Sequence, residues 1–340
     1  MNVKPTLNNC NIINMDVQDS SINKKLHLQT PTVFSPPLSK LSGFSVYLKL
    51  ENLQVPGSFK IRGVGNLCQK AKQNGCKRIV CASGGNAGLA AAYSAQQLGI
   101  PATIVLPKST PQFVADKLIS NFSAEVLYHG DMWDESNEYA LKLASEPGCV
   151  YIHPFDHPDV WDGHSTLIKE AALQLDSQPD LVVTCCGGGG LMNGVLQGMW
   201  KEGWTDVPLL VMETRGAESL NAAIKAGKLV TLPGITSVAK SLGSCTVAKT
   251  SLEYCSKHKV VSSVVDDKDA ISACLRFADD HRMLVEPACG ATLSAVYSEV
   301  IQKLQKAGEL GPVKNVLLIV CGGNSVSLSQ LQTWKEQFNL

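Results

Sequence analysis

Four consecutive glycines, Gly187, Gly188, Gly189 and Gly190, follow the apolar run at residues 181–186 and open a helix-spaced run at Gly190–Lys201. A buried strand, a turn without side chains and a helix, in that order, make one unit of a parallel sheet covered by helices. In such a turn the backbone can wrap closely, and its N–H groups converge with the helix dipole on one point that suits an anion. The run is not a dinucleotide fingerprint: with Gly187 or Gly188 counted first, the sixth position is Met192 or Asn193, not glycine. No Gly-Lys-Ser/Thr triplet follows, which excludes a P-loop.

The same unit recurs along the chain. Strands are expected at Ser45–Leu50, Arg78–Cys81, Ala102–Leu106, Glu125–Tyr128 and residues 181–186, 209–213 and 317–320. Helices are expected at residues 58–74, Asn86–Leu98, residues 111–122, residues 132–146 and Gly190–Lys201. Short apolar strands alternating with helices predict an α/β chain of two lobes, each a mostly parallel sheet. Residues 151–164 (YIHPFDHPDVWDGH), rich in Pro, Asp and His, read as a linker between lobes. A cleft between two lobes is a usual place for a ligand.

The 340 residues are enough for two domains, and 44% hydrophobic with 18% charged residues is the composition of a soluble globular protein. A formal net charge of zero gives no reason to expect nucleic acid or an anionic membrane as partner. The twelve cysteines include no CxxC pair and read as reduced, mostly buried thiols. Residues 1–26 are polar and Asn-rich, carry Asp16 and Asp19 and lack Arg, so they read as a loosely ordered leader and not a targeting signal. No apolar run approaches the ~20 residues that span a bilayer. These features predict a cytoplasmic protein.

Three further segments carry chemistry. In residues 56–63 (PGSFKIRG), Lys60 opens a helix just after a Gly-Ser turn. Partial desolvation and the helix's positive end would lower its pKa and make it an amine nucleophile; a solvated surface lysine is the plainer reading. Residues 83–88 (SGGNAG) lie between a strand and an Ala-rich helix, where they form an anion nest or simply a tight turn capped by serine. Residues 321–324 (CGGN) place Cys321 at the end of the last strand, where ligands bind in open α/β sheets, although cysteines are commonly just buried. An amine, a phosphate cup and anion-binding turns together are the parts that hold pyridoxal phosphate.

Other clusters read as structural. His153, His157 and His164 alternate with Asp156, Asp159 and Asp162, but irregularly and without HExxH, which favours a structural loop over a metal site. Glu286 with Pro287 is expected to shape a turn near the cofactor, with no acid–base role. Trp161, Trp200 and Trp204 are read as packing residues.

PGSFKIRG, SGGNAG, GGGGL at residues 187–191, EPACGA at residues 286–291 and CGGN, in this order, resemble the fold type II (tryptophan synthase β-like) pyridoxal-phosphate enzymes, more narrowly the serine/threonine dehydratases. Residues 154–164 and 235–243 (ITSVAKSLG) share the likeness, which runs from His27 to Leu340. The resemblance implies a large cofactor-binding domain from residues 27–53 plus 157–340 and a small domain from residues 54–156. It implies that Lys60 carries the cofactor as a Schiff base and later moves the substrate's α-proton. Phe59 would lie on the ring face, and Asn86 would meet the ring hydroxyl. Gly187, Gly188, Gly189, Gly190 and Leu191 would bind the phosphate, and Cys321 would face the pyridine nitrogen. Ser83, Gly84, Gly85, Asn86 and Ala87 would hold the substrate carboxylate. A monovalent cation, potassium, would sit at Gly187, Glu213, Ala217, Ser219, Leu242 and Ser244.

The implied activity is β-elimination of L-serine to pyruvate and ammonia, and of L-threonine to 2-oxobutyrate, by a homodimer. The implied rivals are a serine racemase, a cysteine-synthase-like β-replacement enzyme and, outside enzymes, a catalytically silent pyridoxal-phosphate-binding protein. Gly84 stands where the best-known serine dehydratases carry Ala, which is expected to enlarge the substrate pocket slightly. The chain ends soon after CGGN, so no feedback-regulatory domain is expected.

Overall fold

The structure, a computed structural model, describes residues 25–340. The leader assigned to residues 1–26 therefore lies outside the described residues, except for Lys25 and Leu26; Leu26 packs against a hydrophobic core.

The chain begins with strand β1 (Thr32–Phe34), helix α1 (Pro36–Ser42) and strand β2 (Ser45–Leu50). Ser35 caps α1 by accepting the Leu38 N–H, and Gly43 ends it at φ +83°, a conformation that favours glycine. Next come α2 (Lys60–Gln73), β3 (Arg78–Cys81), α3 (Asn86–Leu98), β4 (Ala102–Leu106), α4 (Gln112–Phe122), β5 (Glu125–Tyr128), α5 (Trp133–Ala144) and β6 (Cys149–Tyr151). A long α6 (Pro158–Gln174) leads to β7 (Leu181–Cys185), α7 (Gly190–Lys201), β8 (Leu209–Thr214), α8 (Ser219–Ala226), α9 (Lys249–Cys255) and β9 (Val260–Val265). The chain closes with α10 (Asp267–His281), α11 (Pro287–Tyr297), α12 (Val300–Lys306), β10 (Asn315–Val320) and α13 (Leu328–Gln337).

Two sheets result. One has the order β1-β2-β10-β7-β8-β9, with β1 antiparallel to β2 and the other pairs parallel. The other has the order β5-β4-β3-β6 and is wholly parallel. Strands β4, β7 and β8 are buried along their whole length, as expected when helices cover both faces. The α/β architecture with mostly parallel sheets matches the sequence expectation.

The expected linker at residues 151–164 is a correction. Residues 149–151 are strand β6, and Pro158 starts α6 with His157 as N-cap, its ring accepting the Asp159 N–H. Pro suits the first helical position, where its missing N–H costs nothing. The polar residues face outward: Asp159 pairs with Lys70 and Asp162 with Lys201. Val160 and Trp161 join the core of the small sheet, while Leu167, Ile168 and Ala171 join that of the large one. So α6 bridges the two cores. Gly163 allows this, because a Cβ there would lie 2.3 Å from Arg62 O and 2.7 Å from the Gly63 Cα on α2.

A buried charge network fixes α2 to the large sheet. Arg62, fully buried, donates to both carboxylate oxygens of Glu51 and both of Glu170. Lys49, equally buried, donates to Glu170 at 2.8 Å and to Thr30 O at 2.7 Å. Opposed carboxylates hold the Arg62 guanidinium ionised far above its ordinary range, although burial opposes this.

Candidate functional site

Lys60 is the first residue of α2, and the preceding turn pairs with the CGGN turn after β10. Phe59 N–H donates to Cys321 O at 3.2 Å, and Gly323 N–H to Gly57 O at 2.8 Å. Cys321 and Phe59 are therefore backbone neighbours at the end of a central strand. The Phe59 ring packs on His164, with centroids 4.8 Å apart.

The Lys60 amine donates to Pro154 O at 2.6 Å. Burial pulls its pKa down from 10.5 to about 8; nearby Cys81, Cys185, Glu286 and Cys321 act in the opposite sense. An amine with that pKa is partly neutral near pH 8 and so is a usable nucleophile.

The segment that receives Lys60 also walls the glycine turn. A Cβ on Gly188 would lie 2.5 Å from the Phe155 ring, and one on Gly190 2.8 Å from Phe155 O. A Cβ on Gly187 would lie 2.9 Å from the Leu242 Cα. Gly189 is the N-cap of α7 at φ +97°, without a side-chain cap, and a Cβ there would lie 2.0 Å from Ser251 Oγ. Each glycine is thus required by a close approach, and the helix start is left to an outside acceptor. Gly189→Ala would be strained by about 1–3 kcal/mol. It is expected to weaken cofactor binding at least about tenfold, as read by absorbance titration; unchanged binding would contradict the cup.

The SGGNAG turn meets the same place from the small sheet. Its N-cap is Gly85, not a serine, and no side chain caps α3. Asn86 is held at both ends of its amide: Nδ2 donates to Glu286 Oε1 at 2.7 Å, and Oδ1 accepts the Asn324 N–H at 3.0 Å. Lys117 of α4 reaches Asn324 Oδ1 at 2.6 Å. Ser83 and Gly84 are partly buried, Gly85 is exposed and Ala87 is buried at the start of α3.

Gly84 is a correction. A methyl there would point at Val114 Cγ1 (2.9 Å) and Leu106 Cδ2 (3.0 Å) of the small sheet's packing. Its absence relieves that packing, and the expected widening of the substrate pocket is not what the backbone direction gives.

Glu286 was expected only to shape a turn. It does form the N-cap of α11, but its buried carboxylate also accepts from Asn86 and Ser325. Burial pushes its pKa up against those hydrogen bonds. Pro154 and Phe155 were likewise missed as site residues, because a Pro-Asp-His stretch has the composition of a loop. The signal was there in the short spacing between β6 and a proline that opens a helix.

The residues that the family resemblance gives to a cation have the following surroundings. Glu213 accepts the N–H groups of Leu220 (2.9 Å) and Asn221 (2.8 Å), so its carboxylate faces the start of α8. Burial pushes its pKa up to about 7. Ala217 is buried, and Ser219 Oγ is buried without a partner. Leu242 O accepts the Ser244 N–H at 2.7 Å, and Ser244 Oγ donates to Thr246 O.

Two features of the protein itself fit a phosphorylated aldehyde. The turn at residues 187–190 carries no side chain, and no side chain caps the start of α7 there. Ser58 Oγ, beside Lys60, and Asn193 Nδ2, in the first turns of α7, are buried without partners. Fold and site define an enzyme scaffold that sets a nucleophilic amine beside an anion cup.

The family described as "Pyridoxal-phosphate dependent enzyme" matches residues 24–322. A Rattus norvegicus protein named "Serine dehydratase-like" is 53% identical over 314 residues, covering 92% of this chain and 95% of that protein. The Homo sapiens "L-serine dehydratase/L-threonine deaminase" is 50% identical over 317 residues, covering 93% and 96%. Among solved structures, a fungal L-serine ammonia-lyase from Rhizomucor miehei superposes with TM-score 0.86 at 37% identity, covering 93% of this chain and 100% of that one. The chain belongs to the pyridoxal-phosphate dependent enzymes, in their serine/threonine dehydratase group.

Proposed function

We propose that this chain is an L-serine ammonia-lyase that converts L-serine to pyruvate and ammonia by β-elimination, and L-threonine to 2-oxobutyrate. The observation that carries this reading is the Lys60 amine, held on Pro154 O beside the glycine cup. The names of the relatives support the substrate class.

Bound pyridoxal phosphate supplies an electron sink for the pair left at the substrate's α-carbon. Lys60 would hold the aldehyde, and its Nζ would take the substrate's α-proton. Gly187, Gly188, Gly189, Gly190 and Leu191 offer N–H groups to the phosphate at the start of α7. Phe59 would cover one ring face, and Asn86, with its amide already oriented, would present its remaining N–H to the ring oxygen. Ser83, Gly84, Gly85, Asn86 and Ala87 receive the substrate carboxylate at the uncapped start of α3. Cys321 would offer the ring nitrogen a neutral S–H donor in place of a charged partner.

Incubation with L-serine is expected to release pyruvate and ammonia in equal amounts. D-serine as the main product would instead make the chain a racemase. A sulfide-dependent product would make it a β-replacement enzyme, and no turnover with cofactor bound would make it a silent binder.

The lobes are assigned to residues 54–156 and to residues 27–53 plus 157–340; all four strands of the smaller sheet fall within the first range, which supports the assignment. A cytoplasmic homodimer is part of the same reading, resting on the family resemblance and the cysteine pattern, and light scattering tests the dimer. No helix among the described residues is long and apolar enough to cross a membrane.

Potassium is assigned to Gly187, Glu213, Ala217, Ser219, Leu242 and Ser244, and the unpartnered Ser219 hydroxyl supports that placement. Replacing potassium with tetramethylammonium is expected to lower the melting temperature by several degrees, since a ligand that binds only the folded state stabilises it. Glu213→Gln should remove the difference, and equal melting of the wild type in both salts would contradict the site.

A further inference from the structure

We propose that Cys185 and Cys321 form an oxidation site: when the cofactor is absent, hydrogen peroxide closes them into a disulfide that bars the cofactor until a thiol reductant reopens it. This rests on the reading that Cys321 faces the cofactor ring.

Cys185 ends β7 and Cys321 follows β10, and these strands are neighbours in the large sheet, with Leu318 opposite Val183. The two sulfurs lie 3.7 Å apart, both residues buried. In this register Cys321 falls one residue beyond the position opposite Cys185, and a spacing of about 4.8 Å between strands with a rise of about 3.3 Å along them keeps such a diagonal pair inside the Cα window of about 4.4–6.8 Å that a disulfide accepts. A small side-chain rotation brings the sulfurs to a bonding distance of about 2.05 Å.

Burial pushes Cys81 up to about 12, and Cys68, Cys186 and Cys274 upward as well; what singles out Cys185 and Cys321 is the contact between their sulfurs. The Cys185 and Cys321 sulfurs are in direct contact, and either can donate to the other. Cys321 is pushed up by its bonds to Cys185 and Cys289.

The chemistry then follows. The Cys185 thiolate attacks one peroxide oxygen, the O–O bond breaks, and hydroxide leaves and is protonated to water. The Cys321 sulfur attacks the Cys185 sulfur of the sulfenic acid so formed, and hydroxide leaves with the Cys321 proton as a second water. Two thiols have lost two hydrogens and two electrons, and the peroxide has become two waters. The new bond draws the Cys321 sulfur toward β7 and removes the S–H meant for the ring nitrogen. A bound cofactor covers the pair and engages Lys60, so the loaded enzyme is protected.

The test treats the holoenzyme and the full chain stripped of cofactor with hydrogen peroxide. The stripped chain should lose about 2 Da, yield a peptide joining Cys185 to Cys321, and fail to develop the yellow absorbance on adding pyridoxal phosphate. Dithiothreitol should reverse all three changes, and the holoenzyme should show none of them. Cys185→Ser and Cys185→Ala should each remain uncrosslinked and keep their cofactor uptake after peroxide. Cys186→Ser should still crosslink. Oxygen addition without a crosslink, a link through Cys289 or Cys186, equal crosslinking of the holoenzyme, or loss of uptake in both Cys185 variants would each overturn the proposal. Untreated protein that takes up no cofactor would contradict the functional reading instead, while mass and peptide mapping still decide the thiol pair.

Discussion

Lys60→Ala is expected to abolish covalent attachment of the cofactor and to lower turnover of L-serine by about 10⁴-fold or more. A positioned proton-transfer group alone contributes about 10²–10⁴-fold, and this lysine is also the nucleophile that holds the cofactor. The fold should survive, because among the described residues the amine's one direct hydrogen bond is to Pro154 O. Circular dichroism of the variant should match the wild type, and its absorbance with pyridoxal phosphate should be that of the free aldehyde. A variant that keeps the lysine-bound absorbance would assign the nucleophile to another residue.

Arg62→Met should give the largest change in stability. Removing Arg62 leaves the buried Glu51 and Glu170 carboxylates without their guanidinium, a loss of about 3–5 kcal/mol. Its pH dependence has a definite sign. Burial pushes the Glu170 carboxyl up, but Arg62 and Lys49 outweigh it and hold the group below its ordinary value of 4.5. A lowered carboxyl pKa stabilises the fold above the unfolded value and loses that contribution as pH falls through the folded one. The gap between wild type and variant, measured by urea unfolding, should therefore narrow as pH falls below about 4.5. A gap that widens in acid would contradict the pairing. Because Arg62 lies two residues after Lys60 on α2, the variant should also bind cofactor more weakly.

The parts legible in the sequence were those where one local pattern decides the outcome. Ser45–Leu50 and Gly190–Lys201 have the bounds expected of them, because an apolar run or a glycine marks each end. The glycine cup was legible for the same reason: four residues without side chains have few other uses. The edge strands β1 and β9 were not, since β1 has only three residues and β9 is partly buried, whereas the edge strand β5 has the expected bounds Glu125–Tyr128. Helix α6 was hidden by its own surface: Asp159 and Asp162 gave it the composition of a loop, while Gly163 and His164 faced inward against α2. Glu286 looked like a turn residue because its partners Asn86 and Ser325 are distant in sequence. Arg62 carried no local signal, because Glu51 and Glu170, which close around it, lie 11 and 108 residues away along the chain. Contacts made across the chain carry no local signature, and these are the ones that orient the site.

The central claim is that Lys60 is the residue that carries the cofactor. Borohydride reduction of the holoenzyme, followed by proteolysis and mass mapping, tests it most directly. The account predicts a single pyridoxyl label on the peptide that contains Lys60. A label on any other lysine, or none on a protein that has taken up cofactor, would contradict it.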